Sequence, residues 1–122
     1  MPSPGKLIAL EGIDGSGTTT QAARLADWLT EQGQQTHLTC EPSSGPLGRL
    51  LRKFLRRELP QTDPAALALL FAGDRVDHVS SEIVPRLEQG MNVITDRYVY
   101  SSLAYQSLDQ ELSWVAEINR LA

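Results

Sequence analysis

Cysteine is almost absent: the single Cys40 rules out an internal disulfide and a cysteine metal cluster. Missing too is any apolar run near the roughly 20 residues that span a bilayer. The N-terminus lacks the basic-plus-apolar pattern of a secretory leader. These absences read as a cytoplasmic chain. Excess positive charge is lacking as well. Eleven Lys and Arg against fifteen Asp and Glu give a net charge of −4, so no broad cationic field exists for a nucleic-acid polymer or an anionic membrane. There is no short repeat and no low-complexity tail.

What is present is 122 residues, 41% hydrophobic and 21% charged, the composition of one soluble globular domain that buries roughly two-thirds of its surface. Charge is uneven. Residues 1–61 carry 7 basic and 6 acidic groups, whereas residues 62–122 carry 4 and 9, so any anion site has to be built by local geometry.

Lys6 to Glu11 is a short apolar run ending at glycine, the pattern of a buried parallel strand. Beyond a glycine loop, Ala22, Leu25, Ala26 and Leu29 form one stripe of a helix over 18–31 that Gly33 ends. Thr36 to Cys40 reads as a second strand before a sharp turn at Glu41 and Pro42. Leu47, Leu50, Leu51, Phe54 and Leu55 then recur at helical spacing with a basic side. Asp63 and Pro64 cap and open a long helix that Pro85 kinks or ends. Met91 to Asp96 is a third strand, followed by helical segments near 101–107 and 112–121.

The loop between the first strand and helix carries the strongest chemical signal. A phosphate loop asks for Gly, four variable residues, Gly, Lys and then Ser or Thr. Gly12, Ile13, Asp14, Gly15, Ser16, Gly17, Thr18 and Thr19 meet every position except the lysine, where Thr18 stands. The glycines let backbone N–H groups converge on phosphate oxygens at a helix N-terminus, and Thr19 supplies a hydroxyl directed at Mg²⁺. A tight glycine turn in an unrelated α/β protein is the competing reading.

Taken in order, these segments resemble the thymidylate kinase family of nucleoside-monophosphate kinases. Glu11 to Gln21 is similar to its phosphate loop, Leu70 to Arg75 to its thymidylate-site helix, and Asp96 to Tyr98 with Ser101 to Gln106 to its third signature. Glu41 and Pro42 fall in the expected loop after the second strand. The resemblance implies a P-loop kinase fold, three-layer α/β/α around a parallel sheet. Residues 1–122 would be a partial domain, lacking the family's lid and C-terminal region. It also implies phosphorylation of dTMP to dTDP with ATP and Mg²⁺. The implied partners are dTMP and ATP, with no nucleic-acid polymer and no membrane, and a second copy of the chain as a candidate.

By the same resemblance, Gly12 to Thr19 together with Thr20 would hold ATP, and Thr19 with Asp96 would face Mg²⁺. Glu41, Arg49, Phe71, Arg75, Arg97, Ser102, Tyr105 and Gln106 would surround dTMP. Asp14 and Arg97 would take catalytic positions. Each has a structural alternative. Asp96 can cap a turn, Asp14 can brace the loop backbone, and Glu41 can be an exposed turn carboxylate. Arg75 can pair with Asp74, Asp77 or Glu82, and Phe71 can be plain core. Ser102, Tyr105 and Gln106 can serve helix packing and capping. His37, His78 and Cys40 form no triad or zinc pattern and read as structural, with Cys40 where the family commonly has Arg. Thr18 cannot reproduce a lysine's charge, so nucleotide binding and catalysis can separate. The competing function is therefore a catalytically impaired nucleotide-binding or interaction protein, or an inactive kinase fragment.

Overall fold

A computed structural model describes residues 3–12, 17–98, 101–102, 105–108 and 110–121. Three parallel strands, β1 (Leu7–Leu10), β2 (Thr36–Cys40) and β3 (Asn92–Asp96), form a sheet in the order β1-β3-β2. The last strand therefore lies in the middle. Its residues Val93, Ile94 and Thr95 are fully buried, as expected of a central parallel strand covered on both faces. Leu10 and Cys40 both stand level with Asp96 in the register, so all three strands end at one sheet edge.

Helix α1 (Thr18–Glu31) covers one face, burying Ala22 and Leu29 against Ile94 with Ile8, Leu10, Leu25 and Ala26 around them. Strand alternation turns Val93 and Thr95 to the opposite face. That face meets the C-terminal end of α3 (Pro64–His78) through His78, a π-helical segment (Val79–Ile83) through Glu82, and α4 (Val84–Glu88), which follow one another directly. This is the α/β/α layering the sequence implied. Burying side chains such as Leu51, Val93 and Ile94 contributes roughly 1.5–3 kcal/mol each.

Asp63 caps α3 as expected, accepting from the Ala65 N–H at 2.8 Å, with Pro64 in the first turn. Pro85 does not end the helical run, which continues to Glu88. The widened turn just before it relieves the clash that a proline ring makes with the preceding turn of a regular α-helix. Ser80 and Ser81 donate back to the carbonyls of Val76 and Asp77 at 2.9 and 2.6 Å, giving those acceptors side-chain donors beside the wide turn.

Helix α2 (Pro46–Leu55) packs on α3 and tucks Gly48 against the preceding turn. A Cβ at Gly48 would stand 1.9 Å from the Ser43 carbonyl oxygen, so only glycine permits this approach. Asp74 reaches from α3 to the same turn, accepting from the Ser43 N–H at 2.8 Å and the Ser43 hydroxyl at 2.6 Å. The Glu41–Pro42 peptide bond is cis. Among the described residues, Ser101, Ser102 and Tyr105 are also helical, followed by a short 3₁₀ turn (Gln106–Leu108) and helix α5 (Leu112–Ile118). No helix among the described residues is long and apolar enough to cross a membrane.

Candidate active site

The level ends of the strands bring three chain segments together. Gly17, at φ 85°, turns the chain into α1 and offers no side-chain cap, and the first N–H groups of a helix favour an anion. Thr19, in the first turn, donates its hydroxyl to Asp96 Oδ2 at 2.6 Å. Asp96 Oδ1 is buried and makes no hydrogen bond among the described residues. A carboxylate with an unused oxygen beside a hydroxyl fits a small hard cation, which needs few protein ligands and keeps several waters. Thr18 is the first residue of α1, and Thr20 is exposed in the same turn. Ile13, Asp14, Gly15 and Ser16 lie outside the described residues.

Directly after β3 the backbone bends sharply. Arg97 has φ 79°, in the left-handed region that non-glycine residues seldom enter. Its N–H still extends the ladder to Leu10 O at 2.8 Å, and its carbonyl accepts from the Thr95 hydroxyl at 2.9 Å. The bend carries the guanidinium back to Gly12, where Nη1 donates to the carbonyl oxygen at 2.8 Å. The Arg97 guanidinium also lies 5.8 Å from the Tyr105 ring centroid. Glu11 ties the same regions together, its Oε1 accepting from the N–H groups of Tyr98 and Ser101 at 2.8 and 2.7 Å.

Beside this edge is a cavity of about 370 Å³. Pro42, Leu55, Pro64, Leu67 and Phe71 make an apolar wall; Glu41, Arg75, Arg97, Ser101, Ser102, Tyr105 and Gln106 supply polar groups. A concave, largely apolar cavity with a few convergent polar atoms is the usual form of a small-molecule site. Ser101 Oγ and Gln106 Oε1 are buried without a hydrogen-bond partner among the described residues, a state that a bound polar ligand would relieve.

Of the residues the sequence assigned to the acceptor, Glu41, Phe71, Arg75, Arg97, Ser102, Tyr105 and Gln106 all line this cavity. Arg49 does not: it is exposed on α2. The α2 arginine that reaches the turn is Arg52, whose Nη2 donates to the Pro42 carbonyl and lies 3.3 Å from Cys40 Sγ. A guanidinium thus stands beside Cys40.

Arg75 is not paired with the nearby acids Asp74, Asp77 or Glu82. It is 2% exposed and forms the cavity floor. Nε donates to Glu41 Oε1 at 2.7 Å, Nη1 to Ser102 Oγ at 2.9 Å and Asn119 Oδ1 at 2.5 Å, and Nη2 to Tyr98 O at 3.1 Å. Glu41 is likewise buried, not an exposed turn carboxylate, and its second oxygen accepts from His78 Nδ1 at 2.8 Å. His78 Nε2 meets the Thr39 hydroxyl at 2.8 Å and Glu82 Oε2 at 3.5 Å, and Glu82 also bonds His37 at 2.9 Å.

Burial pushes the His78 imidazole toward its neutral form, yet the hydrogen bond and charge of Glu41, with Glu82 and Asp74, outweigh it and raise its pKa. Burial likewise opposes ionisation of Glu82, but bonds from Thr39 and His37 and the histidine charges hold it below its ordinary value. The Tyr98 phenol is raised by burial and by Glu41, with Arg75 opposing.

The thymidylate kinase family model matches residues 10–122. The chain belongs to the thymidylate kinase family. It is 48% identical to a probable thymidylate kinase of Pyrococcus abyssi over 97% of its own length and 60% of the relative's. A probable thymidylate kinase of Methanococcus aeolicus is 50% identical, over 96% of this chain and 56% of that protein. Among solved structures, the thymidylate kinase of Ehrlichia chaffeensis aligns with TM-score 0.85 at 36% identity, over 97% of this chain and 70% of that one. The chain therefore spans about 60% of the length of such curated thymidylate kinases.

Sequence reasoning gave no individual site role to Ser101, Glu11, His78 or Asn119. Ser101 and Glu11 stand inside motifs already singled out and were within reach. His78 and Asn119 join the site only through contacts remote in sequence.

Proposed function

We propose that this chain builds the acceptor and phosphate-loop portion of an ATP:dTMP phosphotransferase. The observation that carries the reading is Arg97: it lines the cavity and its guanidinium is bonded to Gly12 at the start of the phosphate loop. One cation therefore stands where an acceptor phosphate would meet a donor phosphate. Phe71 and the prolines suit the face of a pyrimidine, while Ser101 and Gln106 offer unused polar atoms to its edge.

In the reaction, a phosphate oxygen of dTMP attacks the γ-phosphorus of ATP, the β–γ bridging bond breaks, and dTDP and ADP leave. No covalent enzyme intermediate is needed. Thr19 and Asp96 would hold Mg²⁺, which supplies neutralising charge to the phosphates. Arg97 orients the acceptor phosphate, the bare first turn of α1 receives donor oxygens, and the apolar wall restricts water that would hydrolyse ATP. ADP formation dependent on dTMP, measured on the purified protein, tests the reading. Folded protein that binds both nucleotides and transfers no phosphate would refute it.

Thr18 favours a second reading, a nucleotide-binding protein with impaired transfer. The Thr18→Lys variant separates the two. If the missing cation limits the reaction, kcat rises on the order of 10²-fold with little change in KM for dTMP. Unchanged and already rapid turnover would mean that another group replaces the lysine.

A further inference from the structure

Behind the cavity floor lies a run of buried hydrogen bonds that the phosphotransfer reading does not use. We propose that His78 is a positioning residue for the acceptor site: it holds Glu41 from behind, and through Glu41 it fixes the guanidinium of Arg75 in the cavity floor. The inference rests on the dTMP reading for its ligand and on geometry alone for its mechanism.

A carboxylate held by one oxygen can pivot; held by both, it cannot. Glu41, with its side chain 4% exposed, is held by both, Oε1 by Arg75 at 2.7 Å and Oε2 by His78 at 2.8 Å. The imidazole, at 0% side-chain exposure, is itself oriented by Thr39 on β2 at 2.8 Å. Thr39 stands level with Thr95 of the central strand. The run Thr39, His78, Glu41, Arg75 thus begins in the sheet and ends at the cavity, as an outer partner orients a ligating histidine in other sites. Without His78, Glu41 Oε2 is a buried acceptor lacking a donor, and rotating to find one pulls its other oxygen from Arg75.

Charge acts in the same direction. Facing the imidazole are Glu41 after β2, Asp74 on α3 and Glu82 in the π segment, with His37 of β2 on the far side of Glu82. Protonated His78 sets one positive charge against these carboxylates behind the floor, which makes the site less repulsive to a dianionic nucleotide. Deprotonation removes that charge. Affinity for dTMP is therefore expected to fall as pH rises through the elevated His78 pKa.

The test compares His78→Leu, which has no donor, with His78→Asn, whose amide can stand near the Nδ1 position. Leucine is expected to weaken dTMP binding about tenfold, asparagine to recover most of it, and ADP binding to change in neither. Combining His78→Leu with Glu41→Gln is expected to weaken binding little beyond the larger single loss. Native affinity in a folded His78→Leu variant, or losses that add in full, would overturn the proposal. The Arg75 Nε–H resonance supplies a readout independent of dTMP: it should shift in His78→Leu and return toward its native position in His78→Asn. If His78→Leu does not fold, His78→Asn and the native chain decide the matter. The His78 ¹⁵N resonances of the native chain should respond to dTMP, and an unresponsive imidazole at saturation overturns the inference. Should the native chain bind no dTMP, the functional reading fails, and the Arg75 resonance in His78→Asn and Glu41→Gln still decides the positioning role.

Discussion

At φ 79°, Arg97 holds a backbone conformation that costs on the order of 1–3 kcal/mol. Thr95 and Leu10 pin it there, and the return is a side chain aimed at Gly12. Phe71 lines the same cavity without such strain. Truncating it in Phe71→Ala should raise KM for dTMP about tenfold through lost ring contact, with kcat much less affected; steady-state kinetics would check this. Ionisation makes a second prediction. The raised His78 pKa adds stability that is complete below its ordinary 6.5 and is lost as pH climbs through the folded value. The lowered Glu82 pKa adds stability that is complete above its ordinary 4.5 and is lost as pH falls through the folded value. Both contributions are whole between pH 4.5 and 6.5, so urea midpoints should be highest there and decline above it, less steeply in His78→Asn. Much of this site was legible, since Phe71, Arg75, Arg97 and Tyr105 stand in short motifs. The partners of Arg75 were not. The candidates beside it in sequence were Asp74, Asp77 and Glu82, but Asp74 turns to Ser43 and the guanidinium reaches Glu41, Ser102 and Asn119 instead.

Among the elements, those set by local chemistry were read correctly. The stripe of α1, the β2 strand and the Asp63 cap each depend on residues within a few positions. Replacing the cap in Asp63→Ala should lower stability by about 1 kcal/mol, measured by urea unfolding, and leave dTMP affinity unaltered. The helical run over residues 64–88 was harder. Pro85 pointed to a kink or an end, and the chain does not end there but carries a π turn over Val79–Ile83 just before it. That turn depends on what the helix packs against: it occurs where Glu82 bonds His37 on the neighbouring strand. Hydrophobic spacing within one helix carries no record of such a partner. Strand order is also a property of packing, for β3 inserts between two strands that precede it in the sequence.

For the molecule as a whole, Arg75 joins segments that are distant along the chain. Its partners are Glu41 at a separation of 34 residues, Tyr98 at 23, Ser102 at 27 and Asn119 at 44. None can be met until the loops between them have closed, and such non-local contacts are slow to form. Glu41→Gln should consequently accelerate unfolding while leaving the refolding rate nearly constant, the signature of an interaction absent from the transition state; stopped-flow rates would show it. The buried guanidinium then has a meaning in time as well as in space. A nascent chain whose strands are aligned while these segments are still apart owns a phosphate-loop edge and no floor for the acceptor. On the proposed function, recognition of a pyrimidine would be among the last properties the folding molecule acquires and among the first it gives up.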